Sequence, residues 1–164
     1  LLWSVDRTYM MEDEFEGDNR PLAAITLSAA NFGPFPMGND LTRLQTRFLG
    51  EPEAVDALKV KIGEPLEAED AEDAGLVTYI YDDIDWEDEI RIFMEERASF
   101  SPDAMTGMEA NLRFAGPETM ETRIFGRLTA WQNWIFIRPN ATGPDGALQR
   151  YGTGVRGDYN QERV

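Results

Sequence analysis

The sequence contains no histidine and no cysteine, and each absence removes a class of chemistry. Without His there is no imidazole general base, no His-based catalytic triad and no His metal ligand. Without Cys there are no disulfides and no thiolate nucleophile, and the usual ligand sets of a structural zinc site are missing. Proton transfer within these residues falls to carboxylates, Lys or Tyr. No His metal site can exist and no structural zinc site is expected. Positive charge is scarce as well: 15 Lys and Arg face 31 Asp and Glu, a net charge of −16. Nucleic acid and anionic membranes are excluded as partners, because both need concentrated Lys and Arg to neutralise phosphates. No apolar run is long enough to span a bilayer and no signal-peptide pattern is present, so a cytoplasmic location is the default. GxSxG, GxGxxG after a strand, Walker A and HExxH are all missing. Gly152-Thr153-Gly154 is too short for a phosphate loop and no helix follows it.

What is present suits one folded domain. The chain has 164 residues, 42% of them hydrophobic, with four Trp and nine Phe, enough to bury a core. It opens with LLWSVDRTYMM, an apolar run already under way. The chain is therefore expected to be the C-terminal part of something longer.

The central stretch is Ile25–Gly50, ITLSAANFGPFPMGNDLTRLQTRFLG. Ile25–Leu27 reads as a strand, Ala29–Gly38 as a small-residue Gly/Pro loop, and Leu41, Leu44 and Phe48 as one face of a helix. Asn39 or Asp40 is the expected helix start and Gly50 the stop. Strand, tight loop and helix start together often build a binding surface; equally they make an ordinary packing unit.

Around it, a strand is expected near Arg7–Met11, followed by an acidic loop at Glu12–Asn19 without EF-hand spacing, read as solvated. Glu51–Ile62 predicts a helix with Pro in its first turn. Glu67–Ala74 predicts another, closed by Gly75, before a strand at Leu76–Tyr81. Asp83 or Asp85 is expected to cap a helix carrying Trp86, Ile90, Phe93 and Met94. Ser101-Pro102-Asp103 is a helix start, with Met105, Met108 and Leu112 as the buried face. Gly116 ends that helix and Pro117 begins the next. From Glu118 to Arg138 the apolar residues Met120, Ile124, Leu128, Trp131 and Ile135 recur at helical spacing, giving a helix of about 30 Å at 1.5 Å per residue. Phe125, Trp134 and Phe136 widen its apolar surface. That helix is either core or an interface with another segment or subunit. Pro139 stops it, and the Gly-rich remainder is expected as an extended tail anchored by Tyr151, Val155 and Tyr159. The basic residues Arg43, Arg47, Lys59, Lys61, Arg113, Arg123 and Arg127 are read chiefly as ion-pair partners.

The order of these pieces carries a resemblance. Asp6 leads into a strand. A strand and Gly33-Pro34-Phe35-Pro36 then precede Arg43-Leu44 and Gly50. A small-residue acidic helix running into Ala74-Gly75-Leu76-Val77 comes last. In order and spacing this resembles the second half of a module of the crotonase (enoyl-CoA hydratase/isomerase) superfamily. The remainder, SPDAMTGMEANLRFAG through RYGTG, is similar to the C-terminal region of that superfamily's divergent ring-opening lyases.

The resemblance implies an α/β fold: residues 1–100 as a partial crotonase-like module with few short strands, 101–138 as C-terminal helices, and 139–164 as the Gly-rich tail. It implies a lyase that hydrolytically opens oxygenated benzoyl-CoA (2,3-epoxy or 2,3-dihydrodiol form). The products would be 3,4-didehydroadipyl-CoA semialdehyde and formate, with CoA as part of the substrate and no metal or organic cofactor. The rest of the same enzyme and a homo-oligomer, taken as a homodimer, are the implied partners. Crotonases hold the thioester oxyanion with two backbone N–H groups. Aligned through Asp6 and Gly33, both donors and one hydratase glutamate precede Leu1, and the second glutamate falls on Ala29. No catalytic residue is therefore assigned in this chain, and alone it is expected to be inactive. Phe35, Pro36, Met37 and Gly38 correspond to the wall of the acyl pocket, or to a loop packed on the core. The rival readings are an enoyl-CoA hydratase/isomerase-like protein, against which Ala29 counts, and a non-catalytic assembly module.

Overall fold

A computed structural model of the protein describes residues 2–17, 19–113 and 118–162. The chain combines helices with short strands, a mixed α/β composition, and parts into two compact units, Leu1–Ile92 and Phe93–Val164.

In the first unit, β1 (Tyr9–Met11) pairs in parallel with β4 (Tyr79–Tyr81), and β2 (Ile25–Thr26) pairs antiparallel with β3 (Pro65–Leu66). The parallel ladder opens on a reciprocal clasp. The Thr8 amide donates to the Thr78 hydroxyl at 3.1 Å, and the Thr78 amide donates to the Thr8 hydroxyl at 3.0 Å. Alternation along a strand sends neighbours to opposite faces. Met10 and Ile80 accordingly join the core, while Tyr9, Tyr79 and Tyr81 group their rings with centroids 5.4 to 6.4 Å apart. Burial, reinforced by the Glu89 carboxylate and the other two tyrosines, pushes the Tyr81 phenol up, which keeps it neutral.

Helices α1 (Arg43–Arg47), α2 (Pro52–Leu58) and α3 (Ala68–Asp73) pack their apolar positions onto these strands. Leu27, Leu44, Ala71 and Leu76 lose all solvent exposure, with Val55, Leu58, Leu66 and Val77 beside them. The expected strand at Leu76–Tyr81 is shorter than its β-branched run, because Leu76 and Val77 are spent on the turn that ends α3. That turn is a complete Schellman motif: Gly75 N–H donates to Glu72 O and Leu76 N–H to Ala71 O, both at 2.8 Å. Gly75 sits at φ 68°, and a Cβ there would lie 2.9 Å from the Phe48 ring. Gly75→Ala is therefore expected to lower stability by about 1–3 kcal/mol, from left-handed backbone strain plus overpacking. Chemical denaturation followed through Trp3, whose indole N–H donates to Leu76 O at 3.1 Å, measures it.

Helix α1 begins later than expected. Asn39 and Asp40 form the preceding turn, with Asp40 at φ 60° and the Asn39 side chain accepting from the Leu41 amide. Thr42 is the cap: its hydroxyl accepts from Gln45 N–H at 3.1 Å, and the Gln45 side chain returns to Thr42 N–H at 2.8 Å. This capping box is visible in the sequence as Thr-x-x-Gln. The helix closes at Phe48, so Gly50 is not its stop. Helix α4 (Trp86–Ala98), which carries the chain past residue 92, follows directly on Asp85, one of the two expected cap residues; the Asp85 carbonyl accepts from Glu89 N–H at 2.9 Å, and its own amide donates to the Asp82 carboxylate at 2.8 Å.

The second unit has little apolar core; Ala141 is the buried hydrophobic side chain among its described residues. Polar contacts hold it instead. In α5 (Pro102–Arg113) the expected start at Ser101 is observed, the Ser101 hydroxyl lying 3.5 Å from Ala104 N. The expected buried face is not: Met108 is 40% and Leu112 54% exposed, whereas Asp103 is 1% exposed. Packing uses the Asp103–Gly107 side: Gly107 is buried, and a Cβ there would lie in ordinary contact with the Trp131 ring, at 3.6 Å. The long helix runs as α6 (Met120–Arg123), a π-helical turn at Ile124–Leu128, and α7 (Thr129–Ile135). The expected break at Gly116–Pro117 and the side chain of Arg113 lie outside the described residues.

The expectation of an extended tail from residue 139 is corrected. Helix α7 already ends at Ile135, ahead of the expected stop at Pro139; Pro139 instead occupies the first turn of α8 (Pro139–Thr142), and α9 (Ala147–Arg150) follows. The buried Asn140 side chain then bonds both backbone groups of Asn160, donating to its carbonyl at 3.0 Å and accepting from its amide at 2.9 Å. The sequence shows no apolar period here because these links are polar. Tyr151 and Val155 do not anchor the segment: they are 89% and 54% exposed.

Candidate functional site

The central stretch builds a groove in the first unit. Phe32 at the end of the three-ten turn Ala29–Phe32, Leu41 and Thr42 ahead of α1, and helices α1 and α2 surround about 280 Å³. Phe32, Leu41, Phe48 and Leu49 supply apolar wall, and Thr42 and Gln45 supply polar groups. The Thr42–Gln45 capping box fixes the rotamers of both polar residues, so this side of the groove is rigid before anything binds. At the edge, the Lys59 ammonium pairs with Asp56 at 2.6 Å, with both side chains more than half exposed. Such a pair contributes little to stability and leaves a cation beside an apolar hollow.

The loop assigned to the acyl-pocket wall lies next to this groove in sequence. Phe35 is 75% exposed, Pro36 and Gly38 are exposed, and Met37 is half-buried. Met37 also ties the loop to the helix start, donating its amide to Leu41 O at 2.8 Å and accepting from Asp40 N–H at 3.0 Å. Phe32 and Leu41, on either side of the loop, line the groove. Ala29 is exposed and brings no proton-transfer group. The groove can hold and orient an apolar or amphipathic group.

Titratable groups with displaced pKa values lie elsewhere. Partial burial raises Glu12, and the neighbouring Glu69, Asp13 and Asp82 carboxylates add to the shift. Backbone and Thr119 hydrogen bonds lower Glu121. Burial lowers the Arg47 guanidinium, whose Nε donates to Gly75 O. That bond joins α1 to the Ala74-Gly75-Leu76-Val77 turn, so the two sequence motifs meet in one core. Arg123 and Arg127 pair with Glu118, at 3.7 and 3.0 Å. Among the described residues no three Asp or Glu side chains converge on a point able to hold a metal ion, and no helix is long and apolar enough to cross a membrane.

The second unit contains two further hollows. One, of about 390 Å³, is apolar, between α5 and α7, with Met108, Leu128, Trp131 and Trp134 in its lining. The other, of about 290 Å³, is polar and carries Arg150, Arg156, Tyr151 and Tyr159. Sequence reasoning missed the second, because its residues fall in a stretch without periodicity. The pairing of Arg with Tyr on either side of Gly152 and Gly154 was the available signal.

No family model matches this chain. The chain is 53% identical over 161 residues, 98% of its length, to the benzoyl-CoA-dihydrodiol lyase of Aromatoleum evansii, and it spans 28% of the length of that curated relative.

Proposed function

We propose that these residues form the C-terminal part of a lyase that opens the ring of oxygenated benzoyl-CoA. In this reading the ring is cleaved hydrolytically, with release of formate and 3,4-didehydroadipyl-CoA semialdehyde. One observation carries the proposal: 53% identity sustained over 98% of the chain to a protein named for that activity. Identity at that level across nearly every element leaves little room for a different packing.

The division of labour follows from the residues. This chain offers no His, no Cys and an alanine at the hydratase glutamate position. Proton transfer and the oxyanion hole then belong to a crotonase-like core outside these residues. The part described here supplies scaffold and wall. The rigid α1 groove and the loop Phe35–Gly38 would lie against the acyl group of the thioester, and the reaction needs no metal or organic cofactor from this part. A cytoplasmic setting fits a CoA-dependent reaction.

The test is incubation of the product of the complete open reading frame with 2,3-epoxybenzoyl-CoA, with formate and thioester products quantified. Stoichiometric formate is the expected result; unaltered substrate would refute the lyase reading, and hydration of crotonyl-CoA instead would favour the hydratase rival. The 164-residue chain alone is expected to release none.

The same part would also serve assembly. Met120 is 73%, Phe125 74% and Leu128 56% exposed between residues 120 and 128, large apolar side chains that a partner surface would cover. A homodimer contact there is expected to be lost in Phe125→Glu, read by light scattering; an unchanged oligomer would remove this helix from the interface.

A further inference from the structure

The polar hollow of the second unit has no role in the reading so far. Two of its walls come from one loop. Gly152 and Gly154 adopt φ of 76° and 74°, a region open to glycine with little cost, and so reverse the chain twice within a few residues. Thr153 pins the turn, its hydroxyl donating to Arg150 O at 2.7 Å and accepting from Val155 N–H at 3.2 Å. The result sets Arg150 and Arg156 on the same hollow, with the Ser99 residue also in its lining.

The two guanidinium groups differ in their commitments. Arg150 pairs through one terminal nitrogen with Asp145, while its Nε is buried with no hydrogen-bond partner. Arg156 is exposed and has no ion pair or hydrogen bond among the described residues. In a chain of net charge −16, most basic groups would be expected to find a carboxylate. Asp145 offsets Arg150, and Asp158 stands between the lining residues Gly157 and Tyr159, so Arg156 is the guanidinium at this hollow left to meet an anionic ligand. Guanidinium groups match phosphate oxygens in a two-pronged geometry.

The aromatic residues narrow the ligand. Tyr151 is 89% exposed, an unburied planar ring at the edge of the hollow. Tyr159 lies against Gly157 so closely that a Cβ there would fall 2.4 Å from its ring; the missing side chain is what admits the ring. A planar face beside cations suits a nucleotide, because base–aromatic stacking adds to phosphate contacts. The volume, about 290 Å³, is at the lower edge of the ~300–1,000 Å³ usual for small-molecule sites, the size of part of a ligand and not the whole of a CoA thioester.

We propose that this hollow binds the phosphorylated adenosine end of the CoA thioester, with Arg156 and Arg150 on phosphate and Tyr151 stacked on the base. The proposal rests on the CoA-thioester reading above and adds a specific subsite to it. It is tested by titrating the product of the complete open reading frame with adenosine 3′,5′-bisphosphate, with adenosine and with inorganic phosphate, following backbone amide NMR shifts. The bisphosphate is expected to move the amides of Gly152, Gly154 and Gly157 and to bind at least tenfold more tightly than adenosine or phosphate. Arg156→Ala is expected to weaken it about tenfold or more, as loss of a charge-assisted contact does. Tyr151→Ala should weaken it by a similar factor. Unperturbed glycine amides, adenosine binding as tightly as the bisphosphate, or Arg156→Ala within twofold of the parent would each overturn the site. Because binding is read without turnover, the two readings fail separately. Bisphosphate binding with no formate release from the complete enzyme removes the lyase reading alone; formate release with no binding here removes the subsite alone.

Discussion

Arg138→Met is expected to destabilise the second unit by about 3–5 kcal/mol, the usual cost of removing one partner from a buried ion pair. Arg138 Nε donates to Asp103 Oδ1 at 3.0 Å, and the Asp103 side chain is 1% exposed. The second oxygen, Oδ2, already lacks a hydrogen-bond partner. Without the guanidinium, a carboxylate is left in a site that neither water nor a donor serves. Arg138 also lies 4.7 Å above the Trp134 ring centroid, so its loss removes a cation–π contact of about 0.5–2 kcal/mol. The effect is large here because this unit has so little apolar burial to fall back on. Asp103→Leu combined with Arg138→Met should recover much of the loss, since replacing both charges by apolar groups removes the stranded carboxylate. Denaturant unfolding followed by the near-ultraviolet dichroism of Trp131 and Trp134, whose rings meet edge to face at 5.0 Å, reads both variants. A single variant within 1 kcal/mol of the parent would show that the pair is not holding the unit together.

Leu44→Ala is the corresponding experiment in the first unit, with an expected cost of about 2–5 kcal/mol. Leu44 is fully buried in the cluster with Leu27 and Leu76. Its helix has only five residues, too short to hold itself together in water. Truncation therefore leaves a cavity and also releases the element that positions Thr42, Gln45 and Phe48 around the groove. Leu44→Met, nearly volume-conserving, should cost less than about 1.5 kcal/mol. The comparison separates loss of volume from loss of the leucine as such. If the alanine variant unfolded with the parent's midpoint, α1 would be peripheral to the core.

Much of the first unit is legible without coordinates. Gly75 reads as a helix stop because a left-handed residue there closes the carbonyls of α3, and the structure has it at φ 68°. Pro52 reads as a first-turn proline and occupies that place. These are local rules, in which a residue and its near neighbours settle the backbone. The start of α1 was misplaced because three candidate caps stand close together. Asn39 and Asp40 are good cap residues, but only Thr42 has Gln45 three positions on to complete the box. The short strand β3 was missed because Pro65–Leu66 is only two residues long and exists through its pairing with β2.

The second unit was less legible, and for a different reason. Met105, Met108 and Leu112 have the spacing of a buried face, yet the helix packs through Asp103 and Gly107. Hydrophobic period measures what a helix has available to bury, not what its neighbours offer in return. The links at Asp103–Arg138 and Asn140–Asn160 join residues 35 and 20 positions apart, and no sequence pattern marks polar pairs at such range.

The sequence by itself determined which chemistry is missing: without His or Cys, these residues have no imidazole and no thiolate, and proton transfer is left to carboxylates, Lys or Tyr. It also determined the local grammar of the first unit, since caps, turns and apolar periods act between near neighbours. Tertiary structure alone decided that the Gly-rich end is folded and not extended, and that Arg150 and Arg156 share a hollow. Bringing those two guanidinium groups together depends on a double reversal at Gly152 and Gly154 and on the pinning of that turn by Thr153, and the position of a long-range wall follows from the summed packing of many residues, not from any one of them.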